Sequence, residues 1–333
     1  MRGAKATRQQ GNKATRLRGR RGLLAAALLG VLLTGCAAQP GRKAVQFDIQ
    51  PWTFGKSPGH KVVTDHYEIY TTLDHRVLLE ALPDFVEAAH THYHELLPPA
   101  RDAEGRMKVY MFATRPQWEA FTKRFTGSRA AKFLRVRNGG YSERGVSVIE
   151  YVSHDVTFPL FSHEGFHQYL YHHVNTRVPP WLNEGLAVCC EGQRWGSDRL
   201  DKFDPWFNPS RRNALAEALA LNRLHALRML LETDAGRVIE SSDRSVATYY
   251  AQVWALVLFL QEGAGGKYRG SFERLLTALT QDGAEPHARA AHIWSDRSAY
   301  NFGEALFRSF ISDDLDAVQQ EYFDFMRDRF GGR

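Results

Sequence analysis

An α+β fold is predicted from three features of the sequence. Strand-like alternation is confined to the part before about residue 156, helical patterns follow one another from Thr157 onward, and no internal repeat or low-complexity tract is present. With 333 residues, 44% of them hydrophobic and 24% charged, the chain can bury a sizeable core, which excludes disordered and collagen-like classes.

The first 35 residues stand apart. They carry eight bases and no acid, and removing those eight from the 43 Lys and Arg leaves 35 bases against 37 acids, a net charge of −2. The basic character therefore belongs to the leader, and the remainder has no excess positive charge to neutralise a phosphate backbone, so no nucleic-acid partner is expected. An apolar run from Leu23 to Leu33 follows the bases. As a helix it rises about 16 Å, too short to span a bilayer, and the arrangement reads as a secretory signal peptide over 1–35. Leu33-Thr34-Gly35-Cys36 resembles the bacterial lipobox. That resemblance implies cleavage before Cys36, lipidation of its thiol and anchoring to a membrane by acyl chains. Ala37 after the cysteine favours the outer membrane, facing the periplasm; the export route stays open.

Residues 36–60, with Pro40, Pro51, Gly55, Pro58 and Gly59, read as a tether, and the domain is expected from 61 to 333. Its α/β part, 61–156, starts with a strand over His66–Thr72. A helix follows from Arg76 to Leu97, closed by Pro98-Pro99. Arg106–Phe112 alternates as a second strand, with Met107, Val109 and Met111 on one side. Pro116–Phe125 spaces Trp118, Phe121 and Phe125 as a helix does. Segments around Gly139–Tyr141 and Val146–Val152 flank Glu143-Arg144-Gly145 and read as a β-hairpin. The helical part, 157–333, has candidate helices at 157–174, 180–191, 211–232, 245–262, 270–280 and 302–328. A cleft is expected between the two parts. Cys189 and Cys190 read as core thiols on a helix, not as a disulfide framework.

The chemistry lies in His163-Glu164-Gly165-Phe166-His167, an H-E-x-x-H sequence on the first helix of the helical part. Residues four apart share one helix face, so both imidazoles can reach a single Zn²⁺. Glu164, about 100° around the axis, stands where a general base would stand. Seventeen residues after His167 comes Glu184, in Trp181-Leu182-Asn183-Glu184-Gly185, directly after Pro179-Pro180. Proline favours the first turn of a helix, so a new helix is expected to start there, fold back on the first and present Glu184 as the third ligand. Gly165 inside the metal helix suggests close backbone packing.

This combination resembles the gluzincin zinc metallopeptidases, and among them the bacterial peptidase MA-like proteins, which have an Asn-Glu-Gly segment after the H-E-x-x-H helix. The resemblance covers about 61–262. It implies an active-site helix pair like that of thermolysin, Zn²⁺ as cofactor, and hydrolysis of peptide bonds by a zinc-bound water activated by Glu164. It also implies a Tyr or His that donates to the oxyanion. Tyr250 is the candidate, although it also stands at packing spacing with Trp254 and Leu258, and Tyr249 is an alternative. A peptide or protein is the expected substrate, with Val146–Val152 as a strand to which an extended peptide could add. The competing readings are a catalytically inactive, zinc-stabilised module binding an envelope protein partner, and a structural lipoprotein without metal.

Other signals are discounted. His90-Thr-His92-Tyr-His94 lacks a third ligand at readable spacing and reads as a solvated helix face. His154-Asp155 reads as the loop into the metal helix, with His154 a possible cleft residue, and His172-His173 as its end. Gly263–Lys267 is not a P-loop, because Tyr268 replaces the Ser or Thr.

Overall fold

The computed structural model describes residues 45–136, 139–197, 199–233, 243–281, 283–293 and 301–331. The leader and Cys36 lie outside the described residues.

Residues 48–60, expected as tether, are part of the fold. They form most of a hairpin, β1 (Asp48–Phe54) paired antiparallel with β2 (Ser57–Val63). The prolines misled: Pro51 sits on an edge strand, where a missing N–H costs no ladder bond, and Pro58 precedes His60, where pairing of β2 with the next strand begins. Gly59 is there because the chains approach closely, since a Cβ would lie 2.2 Å from the Thr71 carbonyl oxygen. Trp52 and Phe54 pack on Tyr70, Tyr110 and Phe112, which fastens the hairpin to the sheet.

The sheet continues through β3 (Tyr67–Thr71), β4 (Met107–Phe112), β5 (Gly140–Glu143) and β6 (Val146–Glu150), in the spatial order β1-β2-β3-β4-β6-β5. β3, β4 and β6 run parallel, and β5 returns antiparallel to β6 through the tight turn Arg144-Gly145. Helix α1 (Arg76–Leu96) is the crossover from β3 to β4. Strand alternation decides the two faces. Met107, Val109, Met111 and Ile149 meet Leu82, Phe85 and Val86 of α1, together with Phe158 and Phe161. On the other face Phe112 and Val148 meet Trp118 and Phe121 of α2 (Arg115–Thr126), beside the short α3 (Ala130–Phe133).

From residue 154 the fold is mostly helical: α4 (His154–His173), α5 (Pro180–Glu191), α6 (Pro209–Ala220), α7 (Leu227–Glu232), α8 (Asp243–Glu262), α9 (Arg269–Thr280), α10 (Ala284–Ile293), α11 (Phe302–Phe310) and α12 (Leu315–Phe330). A small hairpin, β7 (Gln193–Trp195) with β8 (Leu200–Phe203), follows α5. Mixed sheet first and helices afterwards give the α+β layout expected. α8 is the hub of the helical core, with Val253, Trp254, Leu256, Val257 and Phe259 buried.

Two long expected helices are each divided. The span 211–232 breaks at Asn222, which adopts φ 51°, while the Arg223 N–H donates to the Ala218 carbonyl at 2.8 Å and closes the helix end. The span 302–328 breaks before Asp314, whose side chain caps α12 by accepting the Ala317 N–H at 3.0 Å. Cys189 and Cys190 are free, buried thiols on α5. Among the described residues no helix is long and apolar enough to cross a membrane.

Candidate metal centre

The H-E-x-x-H sequence lies on α4, and polar contacts seat this helix on the sheet. Gln168 donates from its amide to the carbonyls of Lys108 and Gly145, both at 2.8 Å. The Ser147 hydroxyl donates to the Glu164 carbonyl at 3.2 Å. On the opposite side the Tyr93 hydroxyl of α1 donates to the Ser162 carbonyl at 2.9 Å. Gly165 permits this approach, for a Cβ there would lie 2.4 Å from the Tyr93 hydroxyl oxygen. The close packing expected from a glycine in this helix is thus the seat of α1 on α4.

His163 and His167, one turn apart, point the same way, with their Nε2 atoms 3.2 Å apart. Pro179-Pro180 starts α5, which packs back against α4 and brings Glu184 to them. Its Oε2 lies 3.3 Å from His163 Nε2 and 3.6 Å from His167 Nε2. Four tetrahedral ligands at 2.0 to 2.1 Å from a zinc ion stand about 3.4 Å from one another. The triangle of two nitrogens and one oxygen matches one face of that tetrahedron. Glu184 Oε2 is buried and has no hydrogen-bond partner of proper geometry, which is costly for a carboxylate unless a cation completes the site. These three side chains could hold a metal ion.

A supporting layer, which sequence reasoning missed, orients the imidazoles. His163 Nδ1 lies 2.9 Å from Glu191 Oε1, and His167 Nδ1 lies 2.8 Å from Asn183 Oδ1. Glu191 is itself held by the Arg211 guanidinium through two bonds, 2.9 and 2.7 Å, and by the Asn208 amide at 2.8 Å. With each Nδ1 engaged, each Nε2 is left for a metal. Glu191 was findable, as it stands two turns after Glu184 on one helix face. Arg211, on the next helix, carries no such signal.

Without an ion the cluster is strongly coupled. Burial alone would lower the His163 imidazole, but Glu184 and Glu191 outweigh it and raise its pKa to about 10. His167 is raised as well, against burial, chiefly by Glu184. Burial opposes the ionised form of Glu184 too, yet the two imidazoles hold that carboxyl well below its usual range. Glu191 is lowered to about 2, with burial again opposing and Arg211 and His163 prevailing.

Glu164 is buried beside this group but outside the ligand set. Burial raises its carboxyl above the usual range, against the nearby imidazoles and the backbone N–H of Ser142 in β5. Tyr250, half-buried, sets its ring edge-on to His163, centroids 6.0 Å apart, and carries the Arg211 guanidinium 5.1 Å over its face. Burial, then Glu184 and Glu164, push its phenol well above the ordinary value, so it stays protonated. The Tyr249 hydroxyl instead donates to the Thr233 carbonyl at 3.4 Å.

Three expectations are corrected. Val146–Val152 is not an edge for an added strand, because β6 is enclosed between β4 and β5; among the described residues the last strand on that side of the sheet, beside Glu164, is β5. His154 and Asp155 form the first turn of α4, not a loop, and the His154 ring packs on Phe158 and Trp195. His90 and His92 are buried rather than solvated, and His173 from the end of α4 joins His90 and His94 in a second group of ring nitrogens. The spacing hid this partner because it comes from another helix.

A scan against protein-family models gives no match to this chain, and a search of curated proteins finds no similar sequence.

Proposed function

We propose that this chain is a zinc-dependent hydrolase of peptide bonds, of the gluzincin kind. The observation that carries the reading is the triangle of His163, His167 and Glu184, with edges of 3.2, 3.3 and 3.6 Å, its carboxylate oxygen buried without a hydrogen-bond partner and Glu164 alongside. Two neutral imidazoles and a carboxylate suit zinc, and three protein ligands leave a position open. When bound there, zinc supplies Lewis-acid polarisation of a carbonyl and acidification of a water.

The chain's own residues do the rest. Glu164, whose carboxyl burial has raised, takes a proton from the attacking water and returns it to the leaving amine nitrogen. Tyr250 keeps its phenolic proton and donates to the carbonyl oxygen as negative charge develops there. The outer edge of β5, whose Ser142 N–H reaches Glu164, offers its backbone to an extended peptide and lays the scissile bond along that carboxylate. The leader and Cys36 support a protein anchored by lipid in the bacterial envelope, at the outer membrane, acting on periplasmic peptides or proteins.

Glu164→Gln tests the reading against that of an inactive, zinc-stabilised binding module. Zinc content should equal that of the parent while hydrolysis of a fluorogenic peptide library falls by at least about 10²-fold. A parent with full zinc and no cleavage of any peptide would favour the binding module.

A further inference from the structure

A second cluster of imidazoles lies where α1 crosses the C-terminal end of α4. His90 and His94, one turn apart on α1, meet His173 in the last turn of α4. The ring centroids are 4.5 Å apart for His90 and His94, 5.5 Å for His90 and His173, and 5.4 Å for His94 and His173. One ring nitrogen of each lies within 4.8 Å of the others. The Nε2 atoms of all three are buried and have no hydrogen-bond partner. Three orphaned ring nitrogens in one place are hard to account for as packing, since each forfeits a bond it would make in water.

The surroundings match a ligand set rather than a polar core. His173 Nδ1 lies 3.0 Å from the Arg101 carbonyl, which fixes a proton on that nitrogen and leaves the ring's lone pair on its buried Nε2. The group lines a cavity of about 440 Å³ whose wall also holds His66, Asp65, Asp102 and Arg106. Closing the triangle onto a zinc-sized ion takes a movement of under about 1 Å per ring.

We propose that His90, His94 and His173 form a second metal site, for a divalent first-row transition ion such as Zn²⁺, with its fourth position turned to the cavity and open to water or a small anion. Three neutral imidazoles suit zinc, copper or nickel and do not suit calcium or magnesium. An ion there ties α1 to the end of the helix that carries His163 and His167, so its occupancy stiffens the seat of the first site. This inference does not depend on the peptidase reading.

The test is zinc stoichiometry, by mass spectrometry of the metal after equilibrium dialysis, on the full chain without a histidine tag. The parent should bind two ions. His163→Ala, which disables the first site, should keep one, and His163→Ala combined with His94→Gln should keep none. His94→Gln alone should hold one, and its melting temperature should no longer rise with the second equivalent of zinc. His94 is only half-buried, so this variant is the one most readily replaced without disturbing the core. A parent whose zinc is all lost in His163→Ala, or zinc retained both in His163→Ala combined with His94→Gln and in His163→Ala combined with His173→Gln, would overturn the proposal.

Discussion

The carboxylate of Glu191 accepts the Nδ1 hydrogen of His163 at 2.9 Å, and through this bond the Arg211 guanidinium, which grips Glu191 twice, holds an imidazole of the candidate metal centre that it never touches. An ion pair buried this deeply is poor evidence for stability. Its value lies in orientation: the ring is turned so that Nε2 meets the nitrogen of His167 and the oxygen of Glu184.

Glu191→Gln should therefore weaken zinc binding by about 10- to 100-fold with the fold retained. Competition with a chromophoric chelator measures it, and circular dichroism checks the fold. Affinity equal to that of the parent would mean that His163 needs no such support.

Gly165→Ala would ordinarily stabilise a helix by up to about 1 kcal/mol. Here the added methyl meets the Tyr93 hydroxyl at 2.4 Å, so the expected result is destabilisation by about 1–3 kcal/mol. Tyr93→Phe in the same chain should return part of the loss, because it removes the clashing oxygen. Urea unfolding of the two single variants and the double variant gives the coupling. No coupling would show that α1 and α4 are not held by this contact.

Zinc uptake should expel protons. A ligating imidazole must be neutral, whereas His163 in the metal-free cluster is raised to about 10 and carries its proton at pH 7.5. Calorimetric titrations in buffers of different ionisation enthalpy should show at least about one proton released per ion at the first site, with affinity climbing as pH rises towards 10. In the metal-free chain the sign is opposite. The stability gained from the raised imidazole is complete below its unfolded value of about 6.5 and is lost as pH rises through about 10. Zinc uptake without proton release would contradict the coupling of His163 to Glu184 and Glu191.

How much was legible in the sequence depended on the range of the interactions. The H-E-x-x-H spacing and the proline-started helix are local, and they brought the side chains of His163, His167 and Glu184 to within 3.6 Å of one another. The order of strands and helices followed from periods of two and 3.6 residues. The hairpin β1–β2 was not legible, because Pro51 and Pro58 break the usual strand signature and are tolerated only by the places they occupy in the sheet. Nor was the sheet edge, since β5 becomes the edge only when β6 inserts beside β4. The same holds for Arg211 behind His163 and for His173 beside His90: each joins its partner across a packing of two helices that no spacing in the chain encodes.

The central claim is that His163, His167 and Glu184 form one zinc site, and its most direct test is the metal content of the purified chain beside His163→Ala and Glu184→Ala, with a His94→Gln background removing any ion at the second cluster. About one zinc per chain in that background, lost on adding either substitution while the helical spectrum is unchanged, is the predicted result. Zinc that survives Glu184→Ala would contradict the two-helix site, and no zinc after reconstitution would contradict the metal centre altogether.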